Sequence, residues 1–289
     1  MSNDINRISK CDVAKSRLIL SLFPGVGLLD MAFEEIGYCV VRGPDMIWGG
    51  DIRTFHPPSG VFWGVIGGPP CQEFSGLNRN PAVKRGVEML GEFCRSVTEA
   101  RPEWWIMENV ARVPNVTRLV KSAGYVTQRF DINQSWYCDV SRLRHIQFGS
   151  LSGRLLDVGH RSVTGNKQPA ALANDSRGFR ELCRLQGLPD DFDLPGMTVK
   201  GKKRAVGNGV PLQMGRILAN AVKDAYAAPV TYCRRCKCGC GRAVTGKALY
   251  DNPACRKRAQ RIRDLTGIRD LTESSHARGN NGYEYLKGE

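Results

Sequence analysis

Val65-Ile-Gly-Gly-Pro-Pro-Cys-Gln-Glu-Phe-Ser75 is the stretch on which the reading of this chain turns. Val65 and Ile66, entered through Trp63-Gly64, have the apolar character of a buried strand end. Gly67-Gly68-Pro69-Pro70 stops that strand, because proline lacks an amide donor and fixes φ. Cys71 therefore emerges on a stiff loop at the carboxyl edge of a sheet, where open α/β folds bind their ligands. A lone cysteine is most often a small buried apolar residue. The flanks of Cys71 set it apart from that common case.

Outward from this loop, strands alternate with helices. Arg17–Phe23 reads as a central strand, Pro24-Gly-Val-Gly27 breaks it, and Leu28–Ile36 resumes with helical spacing. Such a cradle lets backbone approach a ligand closely at Gly25 and Gly27, although it lacks the third glycine of a dinucleotide fingerprint. Gly37–Arg42 is a second strand, and Asp45 beyond it is placed to accept hydrogen bonds from ribose hydroxyls. On the other side, 81–99 reads as a long helix with Val83, Val87, Leu90, Cys94 and Val97 on one face. Trp104–Val110 is a buried strand that carries Glu108 near its end, a costly position unless something pairs with the carboxylate. Further strands are expected from Tyr125 to Asp131 and across Ser141–Gly149. Residues 150–177 lack periodicity and read as loop. A helix from Phe179 is stopped by Gly187 and Pro189, another runs from Leu212 to Ala225, and 227–230 is a linker. The pattern predicts an α/β fold with a doubly wound, mostly parallel sheet.

The chain has 289 residues with 42% hydrophobic and 24% charged, enough for a sizeable core. Lysine plus arginine exceeds aspartate plus glutamate by 42 − 28 = 14, a balance suited to a polyanionic partner such as nucleic acid. No run of 18 apolar residues is present, and residues 1–10 have no apolar core of a secretion signal, so a cytoplasmic protein is expected. Five of the eleven cysteines (Cys233, Cys236, Cys238, Cys240 and Cys255) crowd into 23 residues together with Asp251. Cys233 and Cys236 have the C-x-x-C spacing of structural zinc, while Cys236, Cys238 and Cys240 are closer than usual, so which four ligands act stays open. Residues 231–289 hold 13 basic against 6 acidic residues, a net +7, and Arg256–Arg263 is a basic helix-like run. A small zinc-bound basic module is expected there.

Six segments, in order, carry a family resemblance: Phe23-Pro-Gly-Val-Gly27, the Pro70-Cys71-Gln72 loop, Glu108-Asn-Val110, Arg142-Leu-Arg144, Leu185-Gln-Gly187 and Gly207-Asn-Gly-Val210. Together they resemble the cytosine carbon-5 DNA methyltransferases over residues 18–226. Val140 stands where that family has glutamine. The resemblance implies an S-adenosylmethionine-dependent methyltransferase fold, double-stranded DNA as partner, a monomer, and base flipping. It makes Cys71, Glu108, Arg142 and Arg144 the candidate catalytic residues. Glu108 would act at cytosine N3 as a proton-bearing carboxyl, and Arg144 at the O2 carbonyl. It implies Phe23, Gly25, Gly27, Leu28, Asp45, Asp51, Ile52, Pro69, Asn208 and Val210 around the cofactor, with Asp51 near the adenine amino group. Residues 150–177 occupy the place of the target-recognition region and are far shorter than usual.

The expected organisation is an arm over 1–16, a catalytic domain over 17–228, the cysteine-rich module over 231–266 and a polar tail over 267–289. Two other readings share the motifs: a transfer-RNA cytosine methyltransferase, and an inactive DNA-binding protein. A cysteine hydrolase is disfavoured because none of His56, His145, His160 and His276 sits in a motif that would make it a base.

Overall fold

The computed structural model describes residues 18–75, 83–120, 123–159, 165–227, 234–235, 243–244, 249–250 and 253–266. Two compact units divide at Ala228/Pro229.

In the first unit, short apolar runs form the strands β1 (Leu18–Leu22), β2 (Cys39–Arg42), β3 (Gly64–Gly67) and β4 (Trp104–Asn109). These four pair in parallel in the order β2-β1-β3-β4. The sheet is completed by β5 (Val126–Asn133) and by β7 (Leu143–Ser150), which follows the two-residue β6 (Val140–Ser141). Strand β7 inserts between β4 and β5 and runs antiparallel to both. The expected mostly parallel sheet is present, with one reversed strand.

Helices cover both faces, as near-continuous apolar strands require. Leu29 and Phe33 of α1 (Leu28–Glu34) and Met214 and Leu218 of α6 (Leu212–Ala227) pack on Ile19, Ile66, Ile106 and Phe148. On the other face, α2 (Val83–Ala100) packs Leu90, Phe93, Cys94 and Val97 against Leu20, Val65, Trp105 and Met107, with α3 (Thr117–Val120) alongside. The predicted stripe of α2 needs correction. Val83 and Val87 are 49% and 50% exposed, and the inward face runs instead through Gly86, Leu90, Phe93, Val97 and Ala100. Glycine sets this phase: a Cβ on Gly86 would lie 2.8 Å from Glu73 and Phe74, and one on Gly67 would lie 2.8 Å from the Phe93 ring.

Residues 150–177, read as loop, contain one short strand, β8 (Gln168–Pro169), parallel to β6; 160–164 lie outside the described residues. Helix α4 (Phe179–Gln186) ends on Gly187 in the left-handed region at φ 71°, as its sequence predicts. Helix α5 (Val199–Asn208), capped by Thr198, was not expected from the sequence. The second unit contributes an antiparallel pair, β9 (Arg234–Arg235) with β10 (Ala243–Val244), and the helix α7 (Pro253–Thr266).

Candidate active site

Topology gathers the candidate residues at one edge. Strands β1 to β4 are parallel, so the segments after Leu22, Arg42, Gly67 and Glu108 all leave the sheet at its carboxyl end. Strand β7 runs the other way, which brings its first residues to the same edge. Arg144 therefore meets Glu108: Nε lies 2.7 Å from Oε1, with both side chains largely buried. The partner that a buried strand-end carboxylate demands is present. Gly68 borders the same carboxylate, since a Cβ there would lie 3.4 Å from Oε2. Cys71 follows on the proline loop, which Asn109 ties down by donating from Nδ2 to the Pro69 carbonyl at 3.0 Å. Burial pushes the Cys71 thiol up, the Glu108 charge adds to this, and Arg144 and Arg142 oppose it. These four side chains thus share one electrostatic neighbourhood. Cys94, by contrast, is buried within the core and pushed up to about 12.

The glycine cradle lies at the ends of β1 and β2. Phe23 is held in the left-handed region at φ 54°, which a bulky residue rarely adopts. Gly25 donates its amide to Asp45 Oδ2 at 2.8 Å, and its carbonyl accepts from Trp48 Nε1 at 2.7 Å. Asp45 Oδ1 accepts from the Ile47 amide, and each oxygen of a carboxylate keeps a further lone pair for a ligand. A Cβ on Gly25 would meet nothing within 4 Å, so this face of the cradle is open. Gly27 differs: at φ 80°, a Cβ would lie 2.5 Å from the Arg42 guanidinium. Arg42 in turn pairs with the buried Asp30 at 3.0 Å, and Ser21 Oγ donates to the other Asp30 oxygen at 2.6 Å. Asp51 caps the turn that buries Ile52, and its bond to Arg53 holds its carboxyl down at about 2. Pro69 and Val210 are buried and Asn208 is exposed. A Cβ on Gly209 would lie 2.5 Å from Leu28, so the segment joining α5 to α6 packs against the start of α1.

A strand-end cysteine, a buried Glu–Arg pair and an open glycine cradle on one sheet edge can be set beside known proteins. Residues 50–145 match the family model of the C-5 cytosine-specific DNA methylases. Over that third of its length the chain is similar to the cytosine-C5 DNA methyltransferases. Among curated relatives, the Type II methyltransferase M.HgiDI of Herpetosiphon aurantiacus is 25% identical over 170 residues, 49% of this chain and 54% of its own. M.NgoFVII of Neisseria gonorrhoeae is 28% identical over 169 residues, 51% of this chain and 44% of its own. The chain thus spans about half the length of these curated relatives. In fold it is similar to the methyltransferase EhMeth of Entamoeba histolytica (TM-score 0.55, 11% identity, covering 72% of this chain and 98% of that one). It is also similar to a mutant of Spodoptera frugiperda DNMT2 (TM-score 0.51, 14% identity, 72% and 99%).

Within this site, several contacts were not legible in the sequence. Asn109 was legible as part of a motif but not as the anchor of the Cys71 loop. Val140, at the departure from the family pattern, is buried against Leu182 and Val206 and brings no polar group to that loop. Arg142 points its guanidinium at main-chain carbonyls rather than at a carboxylate. In the cysteine-rich segment, Cys233, Cys236, Cys238, Cys240 and Asp251 lie outside the described residues, while Cys255 is buried on α7. Among the described residues, no group of three or more histidine, cysteine, aspartate or glutamate side chains forms a metal site, and no helix is long and apolar enough to cross a membrane.

Proposed function

We propose that this chain transfers a methyl group from S-adenosylmethionine to carbon 5 of cytosine in double-stranded DNA. The observation that carries the reading is the buried Glu108–Arg144 pair at 2.7 Å beside Cys71 on its proline loop. Carbon 5 is a poor nucleophile, so the ring must first gain electron density. Cys71 adds through sulfur to ring carbon 6, and covalent addition divides one hard step into easier ones. Glu108 carries a proton to ring N3 once the base is bound and so keeps charge off the adduct. Arg144, fixed by Glu108, contacts the O2 carbonyl. Arg142 backs this strand from within. Loss of the carbon-5 proton after transfer restores the ring double bond and expels Cys71. The target base must leave the stack to reach this edge.

S-adenosylmethionine, when bound, supplies its methyl group as the electrophile. The open face at Gly25 fits such a ligand, and Asp45 retains acceptor capacity for ribose hydroxyls. Phe23, Gly27, Leu28, Asp51, Ile52, Pro69, Asn208 and Val210 complete the proposed pocket. We read the protein as a monomer acting in the cytoplasm. We also propose one structural zinc ion on four ligands drawn from Cys233, Cys236, Cys238, Cys240 and Cys255. That proposal rests on their spacing. Metal analysis of protein purified under reducing conditions should find about one zinc per chain, and finding none would end it. Base-resolution 5-methylcytosine sequencing of DNA from cells expressing the chain should show methylation that the Cys71→Ser variant lacks. Unmethylated DNA alongside methylated transfer RNA would replace DNA by RNA as the substrate.

A further inference from the structure

Arg142 is 5% exposed, and no carboxylate among the described residues lies within ion-pair distance of it. A buried cation without an acid is costly. Its guanidinium is instead spread over main-chain oxygens from two distant segments. Nη1 donates to the Ala171 carbonyl at 2.6 Å, and Nη2 to the carbonyls of Gly207 and Gly209 at 3.0 and 3.2 Å. Its own main chain is fixed by Asn133 Oδ1, which accepts from its amide, and by the Gln134 amide, which donates to its carbonyl. Gln186 Nε2 reinforces the same corner by donating to the carbonyls of Val206 and Gly209 at 2.6 and 2.9 Å.

The two segments have different duties in the proposed reaction. Ala171 belongs to the short 150–177 recognition segment. Gly209 packs against Leu28, the first residue after the cofactor cradle, and Gly207 leaves no room for a Cβ against the Leu172 carbonyl. Arg142 also leads directly into Arg144 and so into the Glu108 pair. One rigid fork therefore joins cradle, recognition segment and catalytic strand, a geometry that lysine cannot reproduce with its single nitrogen.

We infer that Arg142 is a positioning residue that couples cofactor binding to DNA binding, by holding the Gly207–Gly209 backbone and the Ala171 backbone in one fixed relation. The inference rests on the methyltransferase reading. Coupling of this kind is reciprocal: whatever factor the cofactor adds to DNA affinity, DNA adds to cofactor affinity.

The test uses the full chain, a cytosine-containing duplex and S-adenosylhomocysteine. In the native protein, S-adenosylhomocysteine should tighten duplex binding about tenfold, within the common range of such couplings. In Arg142→Lys both ligands should still bind, but the mutual effect should fall below about twofold. A purely structural role would lower the melting temperature and leave the coupling factor unchanged, and that result would overturn the inference. Should the variant fail to fold, hydrogen exchange on the native chain decides. S-adenosylhomocysteine alone should slow exchange at residues 170–173, and unchanged exchange there would also overturn it. Failure to bind S-adenosylhomocysteine at all, read by calorimetry, would instead remove the methyltransferase reading and this inference with it.

Discussion

Cys71 works against its surroundings. Burial raises its thiol above the usual range and the Glu108 charge raises it further, with Arg144 and then Arg142 opposing. A raised thiol leaves little thiolate at neutral pH, so the rate of adduct formation should climb with pH through the alkaline side; a rate already level between pH 7 and 8 would refute this. Removing the Glu108 charge should free the thiol. In Glu108→Gln, alkylation of the Cys71 peptide by iodoacetamide at pH 8 should quicken about three- to tenfold, a modest effect for a charge at effective dielectric near 20. Methylation should fall at least about a hundredfold, the lower end for loss of an acid–base group. Slower alkylation would show that Glu108 does not set the thiol's environment. The need for a partner at Glu108 was legible in the sequence, because an apolar run ending in a carboxylate has few other solutions. The position of Arg142 was not, since its partners are backbone oxygens 29, 65 and 67 residues away, and carbonyls carry no sequence signature.

Strands and helices were legible where their pattern had one explanation. The alternation from Leu18 to Asn109 gave the parallel half of the sheet. The reversal of β7 was not legible, because an antiparallel insertion leaves the apolar pattern unchanged. The face of α2 was misread for a related reason: Val83 and Val87 are apolar, but Gly86 and Phe93 set the helix phase by close approach to the Cys71 loop and β3. The cradle glycines can be separated experimentally. An alanine at either pays about 1–2 kcal/mol for a left-handed backbone, and only at Gly27 does its Cβ also run into Arg42. Gly27→Ala should therefore lose more stability in urea unfolding than Gly25→Ala. Equal losses would mean that Arg42 yields freely and does not brace the cradle through Asp30.

Taken whole, the molecule combines an excess of 14 positive charges with only the short segment 150–177 in the place proposed for target recognition. The charge favours DNA without regard to sequence, and affinity should fall by about 0.9 log units per log unit of salt for each phosphate engaged. Each bidentate base contact supplies about 1–3 kcal/mol of discrimination, and so short a segment presents few of them. A target of about two to three bases follows from that contact energy; a methylome with one strict six-base site would contradict it unless the cysteine-rich unit reads DNA as well. The central claim is covalent chemistry at Cys71, and one measurement reaches it directly. A duplex carrying 5-fluorocytosine cannot lose a proton from carbon 5, so the adduct should persist. Incubation of the full chain with this duplex and S-adenosylmethionine should give a complex stable to denaturing electrophoresis, linked to the peptide containing Cys71, dependent on the cofactor and absent in Cys71→Ser. An undiminished complex in Cys71→Ser, or none in a native chain that binds both ligands, would contradict the account.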